Sequence, residues 1–247
     1  MSGLVLGVDT ATERTVIALG TLGEPGVRML AAEEIDAPRA ALGRLLPAVA
    51  ELLGREGLTT AEISQVVAGH GPGSFTGVRI GVATAKGLAH GLGVPLYGIG
   101  TLDAIAWRLA REGDGLLGVL GDAMRGEVYP ALFELDGGVA RRREGDRVAT
   151  PAAVAAEWAA LDRPLVLAGN ALTKHEHLFV DTLGERVTLA ARELWLPTGD
   201  GLIGAYAYAR SSEGADLGTG DPGALLPIYT RLSDAEEAER VRHGGAS

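Results

Sequence analysis

The sequence predicts an α/β fold in two lobes, on three observations. Short apolar runs alternate with segments of helical period along most of the 247 residues. A Gly-rich turn, Gly69–Gly77, stands between one such run and a helix. The opening pattern, an apolar strand closing on Asp9, a polar turn and a second apolar strand, returns at Asp122, just under half the chain further on. The boundaries that follow are 1–102 for the first lobe, 103–232 for the second and 233–247 for a charged tail.

In the first lobe, Leu4–Val8 and Thr15–Leu19 flank the polar turn at Asp9-Thr10 and form a hairpin, and Val27–Glu33 supplies a third strand. Asp36 caps a helix that tolerates Pro38 in its first turn. Its apolar positions Leu42, Leu45, Leu46, Val49, Leu52 and Leu53 follow helical spacing, and Pro47 inside the pattern predicts a kink or a split. Ile63–Ala68 is a buried strand, Thr76–Gly91 a helix, Val94–Ile99 a strand and Thr101–Glu112 a helix.

In the second lobe, Leu116–Leu120 and Val128–Leu135 repeat the hairpin around Asp122. Arg141–Arg143 reads as a solvated loop, Pro151–Leu161 as a helix and Leu165–Ala168 as a strand. Gly201–Arg210 is a helix opened by Pro197-Thr198-Gly199-Asp200. Asp216–Pro222 is a loop, and Leu226–Arg231 a last short strand.

Composition narrows the function. With 47% hydrophobic and 22% charged residues the chain can fill a core, which excludes disorder. A net charge of −10 argues against a free-standing nucleic-acid binder, which would carry a basic stripe. The absence of Cys excludes a disulfide scaffold, a thiol nucleophile and Cys-ligated metal. Only Lys86 and Lys174 are lysines, an Arg bias that reads as codon composition. No apolar stretch is long enough to span a membrane and the N-terminus lacks a basic leader, so a cytoplasmic location is expected.

The Gly69–Gly77 turn is the most specific local feature. A turn of this kind aims backbone N–H groups and a helix N-terminus at one spot and can hold an anion, or it can simply supply positive φ. It matches neither a Walker loop nor a G-x-G-x-x-G fingerprint. Asp9, Thr10 and Thr12 can hold a hydrated cation and phosphate oxygens, or can be ordinary turn residues. Gly73, Gly77, Gly81, Ala85 and Ala89 form one small-residue stripe that admits a close backbone, either the chain's own sheet or another subunit. His175 and His177, two residues apart, point away from each other on a helix and make a poor metal pair. No G-x-S-x-G elbow occurs, and Ser74 has no evident base.

Paired with Asp9, Asp122 makes the two tips similar to those of the sugar-kinase, heat-shock-70 and actin superfamily. More specifically, Asp9-Thr10-Ala11-Thr12, Gly71-Pro72-Gly73-Ser74-Phe75-Thr76-Gly77-Val78-Arg79-Ile80-Gly81, Lys86-Gly87-Leu88-Ala89, Asp122-Ala123-Met124-Arg125-Gly126-Glu127-Val128-Tyr129 and Pro227-Ile228-Tyr229-Thr230-Arg231 resemble the bacterial TsaB (YeaZ) family. The resemblance implies a two-lobed actin-like ATPase (ASKHA, ribonuclease H-like) fold. It also implies a role in making threonylcarbamoyladenosine beside the anticodon of tRNAs that read codons beginning with A. In that family the partner is the paralogous transferase TsaD, joined by the small ATPase TsaE.

Proteins similar to TsaD hold a metal with a His-x-x-x-His pair on the first long helix. The stretch from Ala37 to Pro47 contains no His, and Ala41 stands where TsaB relatives often carry one. The resemblance therefore implies a non-catalytic subunit that binds no metal or cofactor alone. ATP is used by the pathway and bound at the complex interface, and tRNA is reached only through the complex. The alternative is an enzyme in its own right, an ATPase or metallo-peptidase. The expected partner interface is Ala41, Leu45, Ala48, Gly77, Gly81, Ala85 and Ala89, which also offers a homodimer when the chain is alone. The family-motif loops, a vestigial nucleotide site, are Asp9, Thr10, Thr12, Gly71, Pro72, Gly73, Ser74, Phe75, Thr76, Asp122, Arg125 and Glu127.

Overall fold

The computed structural model describes residues 3–23, 26–36, 42–211 and 217–230. The first sheet contains β1 (Leu4–Asp9), β2 (Thr15–Gly23), β3 (Gly26–Ile35), β4 (Ile63–Gly69) and β5 (Leu96–Ile99), in the order β3-β2-β1-β4-β5. Its first three strands are antiparallel, and β4 and β5 join parallel. The second sheet contains β6 (Gly115–Asp122), β7 (Val128–Asp136), β8 (Val139–Arg142), β9 (Leu165–Ala168) and β10 (Val187–Leu189). Its order, β10-β9-β6-β7-β8, carries the same antiparallel and parallel pairings. The duplication predicted from two aspartates is thus a duplication of topology, the ribonuclease H-like arrangement twice over.

Parallel neighbours need a crossover, and helices provide it. In the first lobe α1 (Leu45–Arg55) precedes β4 and α2 (Phe75–Leu92) links β4 to β5. In the second, α4 (Pro151–Ala159) precedes β9 and α5 (Leu172–Leu183) links β9 to β10. The central strands β1 and β6 are covered on both faces, so they read as near-continuous apolar runs. Leu6, Ile17, Leu19, Leu45 and Leu52 pack one side of the first sheet. Each contributes about 1.5–3 kcal/mol by leaving water.

Two helices join the lobes. One face of α3 (Thr101–Leu109), with Leu102, Ile105 and Leu109, enters the second lobe's core, while Ala104 packs in the cluster under α6 (Gly199–Ser211). That helix lays Leu202, Ile203 and Tyr206 on β1, β2 and β4 of the first sheet. The expected second lobe, 103–232, is therefore not one body in space: its last helix covers the first sheet.

Other expectations are corrected. The Asp36 carboxylate accepts from Arg14 Nε and Nη2 at 2.7 and 3.1 Å, and the helix start expected just after it lies outside the described residues. Pro38 lies outside the described residues. A 3-10 turn, Leu42–Arg44, leads into α1, and Pro47 falls in its first turn, where its missing N–H costs nothing, so it does not kink the helix. Arg141 and Arg142 belong to β8 rather than a loop: Arg142 fills the edge with ion pairs to Asp103 (2.8 Å) and Asp146. The predicted closing strand, Leu226–Arg231, joins no ladder among the described residues 226–230, and Arg231 lies outside them.

Candidate functional site

The two hairpin tips and the glycine turn meet where the lobes adjoin. At the end of β1, Asp9 is fully buried. Its Oδ1 accepts from the Ala11 N–H at 2.8 Å and its Oδ2 from the Thr101 hydroxyl at 2.9 Å. Burial pushes its carboxyl up to about 6, against the pull of those two hydrogen bonds. The neighbouring strand carries Gly69 because a Cβ there would collide with the Asp9 side chain.

Thr10 is also buried, and its hydroxyl donates to the Gly77 carbonyl at 2.7 Å. A Cβ on Gly81 would strike that hydroxyl, one on Gly77 the Thr10 carbonyl, and one on Gly73 the Ala11 carbonyl. The glycines of the motif therefore let α2 lie directly on the first tip. Ser74 fastens the junction: its N–H donates to the Ala11 carbonyl at 2.7 Å, and its hydroxyl caps α2 by accepting from Gly77 N–H at 3.3 Å. Gly71, at φ +98°, turns its carbonyl to the Thr101 N–H at 2.8 Å. Pro72 is buried, while Phe75 and Thr76 stand exposed in the first turn of α2. The Thr12 hydroxyl is engaged with the Arg14 backbone.

The second tip is closed in the same manner. Asp122 Oδ1 accepts from the Met124 N–H at 2.9 Å and Oδ2 from Lys174 Nζ at 2.5 Å. Met124, Arg125 and Gly126 turn the chain at φ 61°, 51° and 79°, and Glu127 N–H closes the turn onto the Met124 carbonyl. Asn170 accepts from Asp122 N–H at 2.8 Å and donates to Glu13 Oε2 at 2.7 Å, which ties one tip to the other. Thr101, Asn170, Lys174 and Glu13 were absent from the sequence expectation. Only the position of Asn170 just after an apolar strand could have flagged one of them.

The expected partner interface is corrected. Leu45 and Ala48 of α1 and Gly77, Gly81, Ala85 and Ala89 of α2 are all buried in the chain itself. Ala85 and Ala89 have no exposed surface and pack against β1 and β4. Of the two destinations open to the stripe, its own sheet takes it. Ala41 lies outside the described residues. The solvent side of the same helices carries a different set: Leu46, 53% exposed, on α1, and Ala83, Gly87 and Gly91 on α2. Among the described residues nothing lies within 4 Å of where a Cβ of Gly87 would sit. His175 is half-buried and His177 exposed on α5. Among the described residues no group of three or more His, Asp and Glu is placed to hold a metal.

Residues 35–182 match the family model for TsaD, tRNA N6-adenosine threonylcarbamoyltransferase. The tRNA threonylcarbamoyladenosine biosynthesis protein TsaB of Bacillus subtilis is 34% identical over 203 residues, which cover 78% of this chain and 80% of that one. The chain belongs to the TsaB (YeaZ) family. A second member, TsaB of Escherichia coli, is 38% identical over 150 residues, covering 60% of this chain and 62% of that one. YeaZ from Pseudomonas aeruginosa has a similar structure, with a TM-score of 0.72 and 30% identity over 92% of this chain and 99% of that one. Within a TsaB-family chain, the glycine motif and the two aspartate tips form one interlocked junction. No described helix is long and apolar enough to cross a membrane.

Proposed function

We propose that this TsaB-family chain serves tRNA threonylcarbamoyladenosine biosynthesis as a non-catalytic subunit that docks a TsaD-like paralogue, with a TsaE-like ATPase joining the pair. The observation that carries the reading is the state of the two tips. The Asp9 carboxylate, the Thr10 and Thr12 hydroxyls and both Asp122 oxygens, which in an actin-like nucleotide site would face phosphate and its cation, are each engaged by this chain's own groups. A nucleotide would have to break those bonds before making its own. The lack of His from 37 to 47 removes the imidazole pair that a TsaD-type metal needs. What the chain supplies is shape: a rigid pair of lobes carrying an open helix face.

That face is the solvent side of α1 and α2. Interior helical Gly costs roughly 1 kcal/mol relative to Ala, and the buried Gly81 repays it by accommodating Thr10. Gly87 accommodates nothing among the described residues. Its small size is explained by another helix approaching closely over Ala83 and Gly87.

The test combines activity and binding. The purified chain should hydrolyse ATP negligibly and modify no tRNA until the TsaD-like and TsaE-like proteins are added. Gly87→Leu should keep the melting temperature while weakening the paralogue's binding by about tenfold or more. Robust ATP turnover by the lone chain, abolished by Asp9→Ala, would sink the reading. Undiminished binding by Gly87→Leu would move the docking face elsewhere.

A further inference from the structure

We propose that residues 217–230 form a displaceable lid over the apolar cluster Ala11, Val78 and Val82, held shut from α2 by a clasp between Arg79 and Tyr229. The segment has no helix or strand of its own. It runs from the edge of β5 along α2 to the second lobe, fastened at separate points. Leu96 N–H donates to the Gly220 carbonyl at 2.9 Å, and Lys86 Nζ donates to the Gly223 carbonyl at 3.2 Å. His70 holds it twice: its Nδ1 bonds the Leu226 carbonyl at 3.0 Å, and its own carbonyl accepts from the Ile228 N–H at 2.8 Å. At the far end Thr230 lies near the Tyr129 phenol in β7, without a hydrogen bond to its hydroxyl.

Between these points the lid places Leu225 on the small cluster Ala11, Val78 and Val82 and against the edge of the first lobe's main core. The Ile228 carbonyl lies 3.5 Å from where a Cβ of Gly71 would stand, so the segment covers the glycine turn as well. Few buried contacts and mostly exposed polar fastenings are the signature of a segment that opens locally, below the cost of global unfolding.

The clasp is the strongest fastening. Arg79 Nε donates to the Tyr229 hydroxyl at 2.8 Å, and the guanidinium stacks over the Phe75 ring with its carbon 3.7 Å from the centroid. Phe75 and Tyr229 lie 5.6 Å apart, so the three groups form one aromatic–cation unit joining the first turn of α2 to the lid. Leu226 and Tyr229, 70% and 48% exposed, give the lid little other burial on its outer side. Loosening the clasp should therefore free the anchors at His70 and Leu96 together.

Amide exchange on the full-length protein tests this. In the wild type, the Leu96 and Ile228 amides, whose hydrogen bonds join the lid to the first lobe, should exchange at matching rates, about tenfold or more faster than Val67 in β4. Tyr229→Ala should raise both by about a further tenfold and increase binding of an apolar dye, with Val67 and Ile99, whose N–H groups face inside the sheet, unchanged. Tyr229→Phe, which keeps the ring and loses the acceptor, should fall between. Leu96 and Ile228 amides as protected as Val67, or unmoved by Tyr229→Ala, would overturn the lid. So would a rise spread evenly over Ile99 and Val67, which marks general destabilisation instead.

Discussion

A carboxylate with no exposed surface and two hydrogen bonds must be either neutral or costly, and Asp9 sits at that balance near pH 6. Its carboxyl is raised by burial above the value it has in an unfolded chain, so the folded state favours the protonated form. The stabilising contribution is complete below about pH 4 and is lost as pH rises through about 6. From the raised value the loss amounts to about 3 kcal/mol. Asp9→Asn keeps a carbonyl for the Ala11 N–H and can donate to the Thr101 hydroxyl, while carrying no charge. Its melting temperature relative to wild type should climb between pH 4 and 7 and level off above. A gap that shrinks over that range would show Asp9 stabilised as an anion instead. The residues of this junction were legible to different degrees. Asp9, Thr10 and the glycines stood out by motif, whereas Thr101 is one of many helix-start threonines until the fold brings it across 92 positions to Asp9.

At the scale of elements, α2 shows why a period alone does not choose a face. Gly77, Gly81, Ala85 and Ala89 form one small-residue stripe, and Ala83, Gly87 and Gly91 form another on the opposite side of the helix. Both satisfy the same spacing, and only the sheet decides which turns inward. Ala85→Arg should therefore prevent folding rather than merely block a partner, since it places a cation in the fully buried layer between α2 and the sheet. Circular dichroism or the soluble yield would show it; a folded Ala85→Arg protein would return that position to the surface. Gly81→Ala should cost about 1–3 kcal/mol through its clash with Thr10. Gly87→Ala should instead stabilise by roughly 1 kcal/mol, the helix-propensity gain with no described atom in the way. Most long elements were readable because their hydrophobic patterns are strong, although the twelve-residue α5 was not among the expected elements. The four-residue β8 and three-residue β10 were not: at the edges of the second sheet, pairing and the Arg142 ion pairs hold strands whose own residues are basic or few.

At the scale of the molecule, charge sets what the chain can meet unaided. The excess of acid is 32 against 22 basic residues, and the arginines that might have made a basic surface are largely matched. Arg14 pairs with Glu34 and Asp36, Arg142 with Asp103 and Asp146, Arg147 with Glu144 and Glu157, and Arg163 with Glu134. Phosphate contacts supply most non-specific affinity for nucleic acid, and each requires a cation free to displace a counterion. A paired guanidinium would first have to give up its carboxylate. The lone chain should consequently bind tRNA no tighter than roughly 100 μM at physiological salt, the weak end of non-specific binding. Adding the TsaD-like paralogue should bring binding into range, with a salt slope set by the partner's cations. Charge neutralisations on this chain's surface, such as Arg163→Gln, should leave that slope unchanged. Filter binding or anisotropy across a salt series measures both quantities. Sub-micromolar affinity of the lone chain, or a slope that falls with Arg163→Gln, would place a tRNA contact on this subunit and require the unit to be redrawn as part of the RNA-binding surface.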